Sequence, residues 1–266
     1  MSDKKFIQKM ALFMKDYQEV TKQGLNERWE KIPLELYNSE VYEVIGGLLA
    51  RQVTLSIQLA KNPSIWNGHI APLILRSMID AHITLAWILT DNFEERAKEY
   101  ILYGLGQEKK LIEHLKKEME NDEDIKELVK LKESWIEAQQ YPFLTEVNLG
   151  SWSGTNTRQM AIETDCEDLY KYAFEPFSAV AHNMWQHISI YNLKQCTNPL
   201  HKYHKVPTIL KAPLSEDFVY RSSKYISKSF VVFDKKFELT LDTSLPEDWF
   251  INNIEKVYNG IEDKDV

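Results

Sequence analysis

Two stretches of this chain are apolar on nearly every side at helical spacing. One runs through Val41, Val44, Ile45, Leu48, Leu49, Val53, Leu55, Ile57 and Leu59; the other occupies LILRSMIDAHITLAWIL, residues 73–89. A helix without a polar face belongs inside other helices. The flanking stretches are amphipathic, as with Phe6, Met10, Phe13, Tyr17 and Val20 near the start, the three-and-four spacing of a half-buried helix. Nine glycines and nine prolines in 266 residues are too few for a turn-rich β-protein. The expected fold is all-α, a multi-helix bundle of seven to nine helices.

Helices are expected over about 4–22, 39–61, 69–89, 93–121, 158–162, 175–194, 215–237 and 246–258, with a further helical segment from Glu167. Gly24 and Asn26 read as a break, and Ser39 and Ser215 as N-caps. Gly46 and Gly47 lie inside the second helix, where each costs about 1 kcal/mol relative to alanine. Close packing of another helix there would offset that loss. Residues 105–135 carry charges of alternating sign with sparse Leu and Ile, predicting a solvated helical hairpin that projects from the body. The clearest break is 141–157, and 196–214 reads as a proline-marked loop. Residues 1–196 are expected to form the main bundle, with 197–266 a helical extension on the same core.

The net charge of −8 repels phosphate backbones, so RNA binding would need a local basic patch. Cys166 and Cys196 form no CxxC pair, which argues against a zinc ribbon or disulfide framework and fits a reducing, cytoplasmic setting. Lys9, Lys15 and Asp16 interrupt the first apolar stretch, so it reads as an amphipathic helix rather than a secretory leader. Arg76, Asp80 and His82 break the run from Ile70 to Thr90, short of the roughly 18 uncharged apolar residues of a membrane span. No contact with a membrane is expected. Neither GxGxxG nor GxxxxGK[ST] occurs, so nucleotide binding through those loops is unsupported.

Three polar groups inside the 73–89 stretch invite a functional reading. Arg76 and Asp80 are four apart and share a helical face; His82 points away from it. They form either a buried ion pair or the lining of a polar cleft. In FEPFSAVAHNMWQHISIY, Ser178 and His182 share a face and His187 points elsewhere. His182, beside Val180 and Ala181, is expected near the core. A Ser–His acyl-transfer dyad lacks the GxSxG elbow it would need. His182, His187, His201 and His204 could be grouped as metal ligands, but His201 and His204 lie in a proline-flanked loop without the helical HExxH spacing. No metal and no cofactor is expected.

The segments LILRSMIDAHITLAWIL, NFEERAKEYILYG and SGTNTRQMAIETDCEDLYKYAFEPFSAVAHN resemble the DUF5677 proteins, a bacterial family without an assigned activity, over roughly residues 40–195. In that family an Arg is followed four residues later by an acid, then by a tyrosine-bearing helix, and later by Ser-x-x-x-His. Here those positions are Arg76, Asp80, Tyr100, Ser178 and His182, with Asp80 where the family more often has Glu. A broader similarity is to HEPN-type bundles, many of them metal-independent ribonucleases of toxin–antitoxin and phage-defence systems. Their Arg-x(4–6)-His signature is met by Arg76 and His82. That resemblance implies a histidine base, His82 or preferably His182, acting on a ribose hydroxyl while Arg76 stabilises the phosphorane.

Two functions follow as expectations. The first is a helical module of a bacterial stress or defence system that binds a protein partner, a second copy of itself, or a ligand. The alternative is a metal-independent ribonuclease with Arg76, Asp80 and His182 catalytic, and Tyr100, Ser178 and His82 binding.

Overall fold

The computed structural model describes residues 2–32, 39–118, 122–139, 151–209 and 211–259. It is an all-α bundle with one small two-stranded sheet. The helices are α1 (Ser2–Lys31), α2 (Ser39–Lys61), α3 (Ala71–Thr90), α4 (Phe93–Glu118), α5 (Glu123–Glu137) and α6 (Thr157–Glu163). Glu167–Leu169, a π-helical turn Tyr170–Phe174, and Glu175–Ala181 run on as one helix, α7. Then come α8 (Trp185–Tyr191), the strands β1 (Leu193–Gln195) and β2 (Lys205–Pro207), α9 (Asp217–Phe237) and α10 (Pro246–Asn259). Among the described residues this makes ten helices, slightly above the seven to nine expected.

One added helix comes from the stretch read as continuous over 175–194. Asn183 adopts a left-handed conformation (φ 53°), which asparagine tolerates at a helix end. Met184 N donates to Ala179 O and Asn183 N to Val180 O, the paired bonds of a Schellman stop. The first helix departs in the opposite sense. It runs through Gly24 without a break, and Arg28 Nη1 donates to Gly24 O at 2.8 Å. A Cβ at Gly24 would lie 3.1 Å from the Phe230 ring, so this glycine serves close helix packing. Residues 196–214, read as loop, contain β2, paired antiparallel with β1. Residues 33–38 and most of 141–157, where Pro33 and the main break fall, lie outside the described residues.

α3 is the central helix. It packs on α2, α9, α7 and α6, burying Leu75, Met78, Ile79, Ile83 and Ile88 completely. By length and composition alone α3 is long and apolar enough to cross a membrane despite the three polar residues that interrupt it, and more than half of it is buried in the core. The core extends to Tyr17, Ile45, Leu49, Phe230, Phe233 and Phe250, so α9 and α10 share it with α1–α3. Tyr17, Ser56 and Ser222 form a buried hydroxyl chain at 2.6 and 2.7 Å. Gly46 admits Trp29, whose ring carbons stand 2.6 Å from the site of a Cβ, whereas Gly47 faces open space. Helix packing therefore accounts for one glycine of the pair and not the other. α4 and α5 form the charged hairpin, held by a separate small core of Leu105, Ile112, Val129 and Ile136.

Candidate functional site

Of the six residues singled out in the sequence, Arg76, Asp80 and Ser178 lie where α3 packs on α7, and Tyr100 of α4 lies within charge reach of Asp80. α3 supplies Arg76 and Asp80, one turn apart and both half-buried. α7 supplies Ser178, whose Oγ accepts from Arg76 Nε at 3.0 Å and donates to Phe174 O at 2.7 Å. The guanidinium lies over the Phe174 ring, 4.6 Å from its centroid, a cation–π contact. Phe174 closes the π-helical turn; such turns concentrate at functional sites.

α4 supplies Tyr100. Its phenol is pushed up by burial first and then by the negative charge of Asp80, which sets the two side chains within electrostatic reach. Trp152 packs edge-on against Tyr100, ring centroids 5.0 Å apart, and against Trp87 at 5.4 Å. Trp87 donates its indole N–H to Glu163 at 2.7 Å and carries Arg96 over its ring. One side of the polar corner is thus an aromatic wall.

Of the two readings of Arg76 and Asp80, the ion pair does not form: among the described residues the two have no N···O approach within 4 Å. They still feel each other. Burial raises the Asp80 carboxyl above its ordinary value, and the Arg76 charge opposes that shift without overcoming it. Beyond the Nε bond to Ser178, Arg76 makes no hydrogen bond to the described residues, and neither the Asp80 carboxylate nor the Tyr100 hydroxyl makes one. Among the described residues, no side-chain polar atom of the three is both buried and without a partner. Two guanidinium nitrogens, a carboxylate and a phenol share one half-open corner.

The two histidines fall elsewhere. His82 is only 2% exposed, with Nδ1 3.0 Å from Ser229 Oγ and Nε2 3.6 Å from Cys166 Sγ. Burial, aided by the charge of Lys228, pushes its pKa down to about 4. It is a neutral core residue, not a ligand-facing one. His182, expected near the core, is exposed, because α7 ends at Ala181 and the chain turns at Asn183. It lies one turn beyond Ser178, and its backbone N–H donates to Ser178 O at 2.9 Å. The buried histidine of this region is His187, stacked on Tyr191 with centroids 4.7 Å apart and edge-on to His69 at 5.5 Å.

The four histidines considered as metal ligands therefore separate. His201 and His204 stay together, and Cys196 joins them; their ligand atoms all lie within 4.8 Å of one another. The sequence reading missed Cys196 because its partners are histidines, so the CxxC rule passes over it. Phe174 and Trp152 were also missed. Phe174 looked like ordinary core, and Trp152 sits among Ser and Gly, where no period betrays a contact.

The profile of a family of unknown function, DUF5677, matches residues 42–198. That span contains Arg76, Asp80, Tyr100, Ser178 and His182. No curated protein and no solved structure matches the chain.

Proposed function

Since the chain belongs to the DUF5677 family, whose function is unknown, we propose from its geometry that it is a helical binding module that takes an anionic group of a ligand or protein partner at Arg76. The observation that carries this is the state of Arg76. Its Nε is fixed by Ser178 and its plane by Phe174, while the two terminal nitrogens make no hydrogen bond to a described residue. A pre-oriented guanidinium fork suits a carboxylate or phosphate, which it grips through two parallel hydrogen bonds. Asp80 and Tyr100 beside it would take a donor on the same ligand, and the Trp152 edge would pack its apolar part.

A protein carrier of that anion is favoured by the hairpin. Leu128, Leu131 and Trp135 are exposed on one face of α5, apolar surface of the kind partners cover. A second copy of the chain is one such partner. A setting in bacterial stress or phage defence belongs to the proposal and rests only on the Arg76–His82 spacing, which resembles the HEPN signature. A cytoplasmic location rests on two free cysteines.

The test is calorimetric titration of the purified protein with inorganic phosphate, simple carboxylates and nucleoside monophosphates. Saturable binding in wild type, lost in an Arg76→Gln variant of unchanged circular dichroism, is the expected result. No Arg76-dependent heat with any of these probes would discard the reading. The ribonuclease alternative keeps one supporting observation, the exposed His182 one turn from the Arg76–Ser178 bond. RNA cleavage without metal, abolished in both Arg76→Ala and His182→Ala while both stay folded, would replace the binding reading with it.

A further inference from the structure

The β1–β2 hairpin carries three potential metal ligands on a stretch of nine residues, Cys196-x4-His201-x2-His204. Its register is fixed: Gln195 pairs with Lys205, and Cys196 N donates to His204 O at 2.9 Å. Cys196 and His204 are therefore cross-strand neighbours, with side chains on one face of the ribbon. The connection folds back on the ribbon. His204 N donates to His201 O, His201 N to Asn198 O, and Gln195 Nε2 to both His201 O and Lys202 O. This places His201 Nδ1 3.7 Å from Cys196 Sγ and stacks the two imidazoles edge-on at 5.4 Å.

We propose that this hairpin binds a zinc-class divalent cation through Cys196, His201 and His204, with the fourth position open to solvent. Zinc bonds of about 2.3 Å to sulfur and about 2.0–2.1 Å to nitrogen, at tetrahedral angles, set S···N at roughly 3.6 Å. The Cys196–His201 separation of 3.7 Å matches that spacing. The widest ligand-atom spacing, 4.8 Å, closes by rotation of the exposed His204 ring. One thiolate with two imidazoles is a donor set for zinc or its softer neighbours, not for Mg2+ or Ca2+, which take oxygen. The site is remote in sequence from Arg76 and does not depend on the binding function proposed there.

Cobalt(II) titration of the metal-free protein tests this, because a thiolate bound to cobalt gives a charge-transfer band that imidazole alone does not. The band should rise to one equivalent per chain and be bleached by Zn2+ but not by Mg2+. It should vanish in Cys196→Ser, weaken about tenfold or more in affinity in His204→Ala, and persist in Cys166→Ser. A wild-type protein without the band overturns the proposal, as does a band that survives Cys196→Ser or is displaced by Mg2+. Both ligand variants lie on an exposed hairpin outside the core, and circular dichroism confirms their fold.

Discussion

Arg76 on α3 and Ser178 on α7 are joined by a single 3.0 Å hydrogen bond from Nε to Oγ, 102 residues apart in the chain. Ser178 uses its own proton on Phe174 O, so it has only a lone pair left to offer and can hold only a donor. Ser178→Ala deletes that anchor and frees the guanidinium to rotate. The expected loss of stability is about 1 kcal/mol, the net worth of one partly exposed hydrogen bond. Affinity for phosphate should fall without being abolished, since the charge remains. Urea unfolding and calorimetric titration of the same variant separate the two effects.

His82 makes stability depend on pH. Its native pKa is held at about 4 against an ordinary 6.5. Above 6.5 both folded and unfolded chains carry it neutral, so it adds no slope. As pH falls from 6.5 towards 4, the unfolded chain takes up a proton that the folded chain refuses, and stability is lost over that window. Integrated, the loss approaches roughly 3 kcal/mol. Unfolding free energies across this range should show the slope in wild type and a shallower one in His82→Gln. Equal slopes would mean that the imidazole is not held neutral.

Much of the fold was legible because helical periodicity is a local signal. The all-α class, the central 73–89 helix and the charged hairpin all follow from spacing within one element. What escaped depends on contacts between elements. Gly24 looked like a break because its packing partner, Phe230, lies 206 residues away. His182 looked buried because Val180 and Ala181 are apolar, yet the left-handed Asn183 that ends the helix also swings the histidine outward. For the site, helical spacing pointed to Arg76, Asp80 and Ser178, and the family likeness added Tyr100; Arg76 does reach Ser178, and Tyr100 lies within charge reach of Asp80. Trp152 and Phe174, which shape their surroundings, carry no pattern of their own.

Gly46 and Gly47 should respond oppositely to the same substitution. A Cβ at Gly46 would stand 2.6 Å from two carbons of the Trp29 ring, while one at Gly47 meets nothing within 4 Å. Gly47→Ala should raise stability by about 0.5–1 kcal/mol through helix propensity and the reduced freedom of the unfolded chain. Gly46→Ala should lower it by about 1–3 kcal/mol, because Trp29 must leave its place. Paired thermal melts of the two variants check both signs.

Arg28 and Asp234 form an ion pair at the edge of the core, the arginine buried and the aspartate half-buried, with Nε to Oδ1 at 2.8 Å and Nη2 to Oδ2 at 2.6 Å. Arg28 is 1% exposed and also lies over the Phe230 ring at 3.9 Å. Even with this bidentate partner, burial holds the Asp234 carboxyl above its ordinary value, so desolvation outweighs the attraction of Arg28. The pair therefore joins α1 to α9 specifically while adding little net stability. Breaking it is a different matter, because one charge is left buried alone. Asp234→Ala should cost about 3–5 kcal/mol, and Arg28→Met combined with Asp234→Leu should recover most of that loss. A double-mutant cycle in urea measures the coupling. If the double variant is no more stable than Asp234→Ala alone, the charges themselves, and not their mutual compensation, hold the two helices together.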